Sequence, residues 1–296
     1  MLAGLTALLV AFLAISGCVT MAPFGGDYDP GDGWTLEWSD EFDDGVLDDD
    51  IWHRQIMLRT GPYPGPYNNE LQRYTGDPDT AYEQDGNLVL RADRIGNLDG
   101  DGQYTSARVI SNPGGQNGTS GSTGATFMYG KIAVRATLPA GKGIWPAIWM
   151  LGDNINETGG SVPWPSSGEI DILETGSVND RDGHYGHATL HGTLHYSNSF
   201  GSHQYTGDTT QLSEGTFADD YHIFEIEWDE RSIVWRLDGV PYHYVDITRA
   251  DMSEFHEPHY LLFNIAVGGH FTHVPDETTQ FPQFMYVDWV RHYVSR

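Results

Sequence analysis

Apolar and polar residues alternate with a period of two along most of this chain, and sustained helical periodicity is hard to find. Residues 88–92 (LVLRA), 131–136 (KIAVRA), 221–228 (YHIFEIEW) and 233–237 (IVWRL) fit the strand template. Asp238-Gly239 follows the last of these directly, a dipeptide that closes tight hairpins, and leads into Val240-Pro241-Tyr242. Glycine-rich stretches at 112–124 and 156–168 read as loops, the second directly before the segment 168–174 (GEIDILE). The chain has 296 residues with 36 Gly and 15 Pro. It is long enough for one large all-β domain with many turns, and no internal repeat of useful length is visible.

The segment 169–174 changes the picture most. Its Ile-x-Ile-Leu spacers favour a strand, whereas carboxylates are depleted in strands. Alternation places Glu169 and Asp171 on one face and Ile170 and Ile172 on the other, but it puts Leu173 on the acidic face and Glu174 on the apolar one. A one-residue bulge at Leu173 repairs the phase and returns Glu174 to the side of Asp171. Three like charges on one face repel, a cost that suits glycosidic bond cleavage with retention, which needs a carboxylate nucleophile and a protonated carboxyl about 5–5.5 Å apart. The bulged span separates the two glutamate Cα atoms by about 13 Å, so both side chains must lean inward over Asp171, which then helps set their protonation. A solvated edge strand with an acidic outer face is the competing interpretation. In 143–150 (GIWPAIWM) the same alternation puts Trp145, Ala147 and Trp149 on one face, either as a stacking platform for sugar rings or as filling for a sandwich core.

Charge narrows the partners. There are 42 acidic residues against 15 basic, for a formal charge of −27, and only Lys131 and Lys142 are lysines. Such a surface repels nucleic-acid phosphates and anionic membranes, and it disfavours sulfated or uronic-acid polymers. It also raises the expectation of a salt-adapted protein. Residues 5–15 form an apolar run too short to span a bilayer; the expectation is a signal peptide over 1–18, ending in Ile15-Ser16-Gly17-Cys18. That ending resembles a lipobox with Cys18 as the lipidated residue, although the first basic residue is Arg54 and no basic leader precedes the run. Cys18 is the single cysteine, so no disulfide forms within the chain. Residues 19–33 read as a flexible tether and 34–296 as the folded domain.

Taken together, these pieces resemble glycoside hydrolase family 16, in its bacterial laminarinase-like branch. The resemblance is carried by 38–42 (WSDEF), 67–74 (YNNELQRY), 104–108 (YTSAR), 145–151, the acidic strand in its six-residue bulged form, 261–269 (LLFNIAVGG) and 285–291 (MYVDWVR), and it covers roughly 34–294. It implies an all-β jelly-roll sandwich of two antiparallel sheets with a concave substrate groove. It implies Glu169 as nucleophile, Glu174 as acid/base and Asp171 as the assistant between them. By the same match Asn69, Arg108, Trp145 and Trp149 line the glycone side and His195 sits near the leaving-group side. No cofactor is implied for catalysis, but Glu41, Gly86 and Asp288 match positions where family members hold a structural calcium ion. After Gly268-Gly269 this chain has 270–275 (HFTHVP) where many laminarinases have an aromatic-Pro-Gly turn, so the loop there must be shaped differently.

Other chemistries fit less well. His184, His187, His191 and His195 match no zinc spacing, no His-Glu-x-x-His occurs, and no glycine-rich loop carries the Lys-Ser/Thr of a phosphate loop. The leading expectation is therefore a retaining endo-glycosidase of β-1,3-glucan or mixed-linkage β-glucan, monomeric, and secreted or lipid-anchored at the cell surface. The alternatives are an agarase- or carrageenase-type hydrolase of the same fold, or a lipoprotein that binds β-glucan without cleaving it. Hydrolysis and transglycosylation share the same intermediate, and the sequence does not divide them.

Overall fold

The computed structural model describes residues 28–58, 65–96, 103–112, 114 and 123–296. The apolar leader, Cys18 and most of the 19–33 segment lie outside them. Among the described residues no helix is long and apolar enough to cross a membrane.

Residues 33–296 form one unit of two strongly antiparallel sheets. The first runs, in spatial order, β16 (Val240–Asp246), β15 (Ser232–Leu237), β14 (His222–Trp228), β9 (Gly130–Thr137), β18 (Gln283–Ser295), β5 (Asn87–Arg94), β6 (Tyr104–Ser106) and β3 (Gln72–Tyr74). Off this path β1 (Trp34–Asp40) pairs with β18 and β4 (Ala81–Gln84) with β5, while β3 and β6 run parallel. The second sheet runs β13 (His203–Gln211), β12 (Thr189–Ser197), β11 (Glu169–Glu174), β10 (Ile144–Gly152), β17 (His259–Val267), β7 (Arg108–Ile110) and β2 (His53–Arg54), with β8 (Thr126–Phe127) on β17. The four strands expected from alternation are β5, β9, β14 and β15. Asp238 and Gly239 both take positive φ, +50° and +77°, the conformation a two-residue hairpin between right-twisted strands requires.

Why the chain makes a sandwich follows from where its apolar positions point. Ile132 and Val134 of β9 and Phe224, Ile226 and Trp228 of β14 meet Ile148 and Met150 of β10, Ile170, Ile172 and Leu173 of β11 and Leu190 and Leu194 of β12 in one buried core. Each such side chain contributes roughly 1.5–3 kcal/mol when withdrawn from water. With its apolar side committed to this core, the second sheet turns the other side of β10, β11 and β12 outward, and that face carries the polar and aromatic residues of the site. β17, next to β10, is buried at all nine positions and gives the site a rigid floor.

Candidate active site

β11 is where local sequence and function conflict, and a bulge resolves the conflict. Against β10, Leu173 pairs with Ile148 and Asp171 with Trp149, leaving Ile172 as the extra residue. Against β12, Asp171 faces Thr193 and Glu174 faces His191, so Ile172 and Leu173 together oppose Gly192. The bulge thus spans Ile172–Leu173 rather than Leu173 alone. Both apolar side chains enter the core, at 1% and 0% exposure, and Glu174 returns to the face of Glu169 and Asp171.

That face opens on a cavity of about 660 Å³ lined by Trp145, Ala147 and Trp149 of β10, all three carboxyl residues of β11, and Arg108, Glu157 and Asn264. The two indoles therefore flank a groove and are not core filling. Each ring is held by its N–H: Trp145 Nε1 donates to Glu174 Oε1 at 3.0 Å, and Trp149 Nε1 donates to Asn264 Oδ1 at 2.7 Å. Phe271 stacks on Trp145 with centroids 4.9 Å apart, so the divergent 270–275 loop buttresses the platform. Arg108 lies over the Trp149 ring at 4.9 Å and donates to Glu157 Oε1 at 2.7 Å, a buried pair that fixes both planes.

The three carboxyls form a coupled set. Glu169, Asp171 and His195 bring polar side-chain atoms within 4.8 Å of one another, and two buried carboxyls this close favour keeping a proton on one of them. Trp164 Nε1 donates to Glu169 Oε2 at 2.7 Å. His195 Nε2 lies 3.8 Å from Glu169 Oε1 and 3.3 Å from Asp171 Oδ2, an ionic approach without the alignment of a hydrogen bond to Oδ2. Burial raises the pKa of all three carboxyls: Glu169 to about 8, with the Asp171 charge adding; Asp171 to about 8; and Glu174 to about 7, again with Asp171 adding. Protons are shared across this set, and its titration belongs to the group and not to single residues. A site holding both an ionised and a protonated carboxyl near neutrality is equipped for paired nucleophilic and acid/base work.

The carbonyl of Asp171, directly before the bulge, accepts a 2.7 Å bond from Trp235 Nε1 of the opposite sheet. Gly192 makes room for that indole: a Cβ there would lie 2.6 Å from Trp235 Cδ1 and 2.5 Å from the Tyr242 hydroxyl.

Asn69, expected to line the glycone side, is placed differently. Asn68 and Asn69 both take positive φ, +59° and +58°, and this turn aims Asn69 outward to His270, while its neighbours Asn68 and Glu70 line the cavity. Sequence reading gave no role to Glu70, Tyr74, Glu157 or Asn264. Glu70 Oε2 accepts from Gln72 at 2.5 Å and Tyr74 at 3.3 Å, and Tyr74 in turn accepts from Asn264 at 3.1 Å, a relay ending under Trp149. Glu41, Gly86 and Asp288 do not make a calcium site of side chains. The Glu41 carboxylate is gripped at both oxygens by Arg291, at 2.9 and 2.8 Å. Asp288 is held by Arg135 at 2.5 Å, and Gly86 lies in the β4–β5 turn with φ +74°. Guanidinium groups already neutralise both acid side chains, so a cation at these positions would have to be held by backbone carbonyls.

Comparison with known proteins agrees with this geometry. The profile of glycosyl hydrolases family 16 matches residues 68–291. The chain is 35% identical to a beta-glucanase of Rhodothermus marinus, over 97% of this chain and 93% of that protein. It is 32% identical to glucan endo-1,3-beta-glucosidase A1 of Niallia circulans over 88% of its length, and spans 38% of that longer relative. Among solved structures, the catalytic domain of a laminarinase from Thermotoga petrophila superposes with a TM-score of 0.72 at 40% identity, covering 89% of this chain and 98% of that one. On its bulged acidic strand, its sandwich and these matches, the chain belongs to glycosyl hydrolase family 16.

Proposed function

We propose that this protein hydrolyses β-1,3-glucan internally and with retention of configuration. The observation that carries the proposal is the bulge of β11, which sets Glu169, Asp171 and Glu174 side by side at the edge of an aromatic groove. Glu169 attacks the anomeric carbon while Glu174 gives its proton to the departing oxygen; water then enters, loses a proton to Glu174 and releases the sugar from Glu169. Asp171, beside Glu169, holds the shared proton off the nucleophile as charge moves. Trp145 and Trp149 offer faces to the C–H surfaces of the sugar rings, and Arg108, Glu157 and Asn68 offer partners for its hydroxyls. The relatives named as β-1,3-glucanases support this linkage. No metal enters the mechanism.

The test is reducing-sugar release from laminarin, mixed-linkage glucan and agarose by residues 19–296 and by Glu169→Ala. Cleavage of laminarin, lost by a factor of about 10⁴ or more in the variant, is the expected result. Near-full activity in the variant would overturn the assignment, and cleavage of agarose alone would reassign the groove. A monomer, secreted or anchored at the cell surface through Cys18, completes the proposal. It is supported by the apolar run over 5–15 and by a polymeric substrate that does not cross membranes. Cys18→Ser should release the protein from the membrane fraction; unchanged partition between fractions would exclude the anchor.

A further inference from the structure

Resting on the hydrolase reading above, we infer that Asp180 and His191 are a positioning pair for Glu174, holding its carboxyl in place and supporting its charge once its proton has left. Neither residue lines the 660 Å³ cavity, so the pair acts through Glu174 and not on the sugar. His191 is the residue of β12 directly opposite Glu174, on the face that also carries His195. Its Nε2 lies 2.8 Å from Asp180 Oδ2, and the two side chains are 19% and 13% exposed. A carboxylate only accepts, so Nε2 carries the proton of this bond. That leaves Nδ1 as the atom that gains or releases a proton. A proton there makes an imidazolium whose charge Asp180 already balances.

Asp180 is itself held. The turn that carries it is tied to 270–275 by a bridge between Ser177 and Thr272 and by a 2.9 Å bond from the Val178 N–H to the Phe271 carbonyl. Two residues on, Asp182 accepts from the backbone N–H of His184, Gly186 and Ala188 and from the Thr189 hydroxyl, at 2.8–3.2 Å. The 270–275 loop then leads back to the acid. Phe271 meets the His191 ring edge-on, with centroids 5.3 Å apart, and stacks on Trp145 at 4.9 Å. Trp145 in turn donates to Glu174 Oε1 at 3.0 Å. Contacts therefore run unbroken from Asp180 through His191, Phe271 and Trp145 to the Glu174 carboxyl.

Glu174 must be protonated when the sugar departs and ionised when water arrives. Burial and the Asp171 charge favour the first form, and positive charge on His195 and His191 favours the second. The remaining charges nearby are Glu169 of β11 and Asp180 of the 177–182 turn. β10 and the 270–275 loop offer the neutral rings of Trp145 and Phe271, while His270 and His273 of that loop turn to Asn69 and Tyr185. His195 is engaged by Glu169 and Asp171. That makes His191 the cation assigned to Glu174.

His191→Gln and Asp180→Asn test this on laminarihexaose, whose leaving sugar needs the proton of Glu174, and on dinitrophenyl β-laminaribioside, whose phenolate leaves without one. At the pH optimum of each enzyme, kcat/KM should fall roughly tenfold on the hexaose in both variants and stay level on the aryl glycoside. In His191→Gln the alkaline limb of the hexaose profile should also move to higher pH, because Glu174 loses a neighbouring cation and keeps its proton longer. An equal loss on both substrates would overturn the pair, since a general disturbance of the fold produces that pattern. So would a level hexaose rate, or an alkaline limb that stays in place in His191→Gln. A wild type inactive on both substrates would instead bring down the hydrolase reading itself, and the pair with it.

Discussion

Glu169, Asp171 and Glu174 owe their raised pKa values to burial first, with the Asp171 charge adding at the two glutamates, and this makes the site a source of instability at alkaline pH. In the unfolded chain these carboxyls titrate near their ordinary values, about 4. In the fold they hold protons up to about 7 for Glu174 and about 8 for the other two. Their contribution to stability is therefore complete below pH 4 and lost as pH rises through 7–8. Glu169→Gln removes one of these ionisations while keeping a hydrogen-bonding group for Trp164. Its Tm should exceed that of the wild type by about 4 °C or more at pH 8, equivalent to roughly 1–2 kcal/mol in a domain of this size, and match it at pH 4. Thermal melts across that range check the sign; a variant less stable than wild type at pH 8 would show that the ionised cluster is satisfied by its surroundings. The acids themselves were legible from strand alternation. Their neighbours were not, because Trp149 meets Asn264 across 115 positions and Arg108 meets Glu157 across 49, distances at which a local pattern is silent. Asn69 misled for a related reason: two successive left-handed residues reverse which of Asn68 and Asn69 faces the groove.

At the level of the element, the period-two pattern announced that β11 needed a bulge, and it erred only in confining it to Leu173. What the pattern could not contain is the support from the other sheet. A bulge leaves backbone groups without ladder partners, and here Trp235 of β15 reaches through the core to the Asp171 carbonyl. It passes at a place only glycine can occupy opposite Ile172 and Leu173. Trp235→Phe keeps most of the ring volume and removes the donor. A buried carbonyl losing its donor costs about 1–3 kcal/mol, and the carboxyl on the same residue loses its anchor, so activity on laminarin should fall about ten- to a hundredfold. The reading that separates positioning from mere destabilisation is the pH–rate profile, measured well below Tm. A displaced Asp171 moves the limbs of the profile, whereas simple loss of stability leaves them in place. Unmoved limbs with full activity would show that the bulge holds its shape unaided.

Across the whole molecule the question is what a charge of −27 does. Basic residues that could offset it are few, and among the described residues several are already engaged by acids: Arg291 on Glu41, Arg135 on Asp288, Arg108 on Glu157, Lys142 on Asp276 and Lys131 on Glu227. Salt acts on these two populations with opposite signs. Screening weakens each exposed ion pair, which is worth about 0–1 kcal/mol at most, and it relieves repulsion among the many acids that no cation offsets. The pairs are short contacts of 2.5–3.0 Å, several of them half-buried and so little screened, whereas the repulsion is summed over long distances through water and is screened strongly. Net relief should win. Tm at pH 7 should rise by several degrees as NaCl goes from about 0.01 to 0.1 M, where the Debye length shrinks from about 30 to 10 Å, and should flatten above that. Sodium sulfate at equal ionic strength should superpose over the same low range, since only screening operates there. A flat or falling curve would mean the acids are locally balanced and the salt-adapted reading of the composition is wrong. Binding of a neutral glucan should stay level across the same titration, so that KM for laminarin and Tm respond differently to the same salt; a KM that tracked Tm would place charge in the groove's recognition of its substrate.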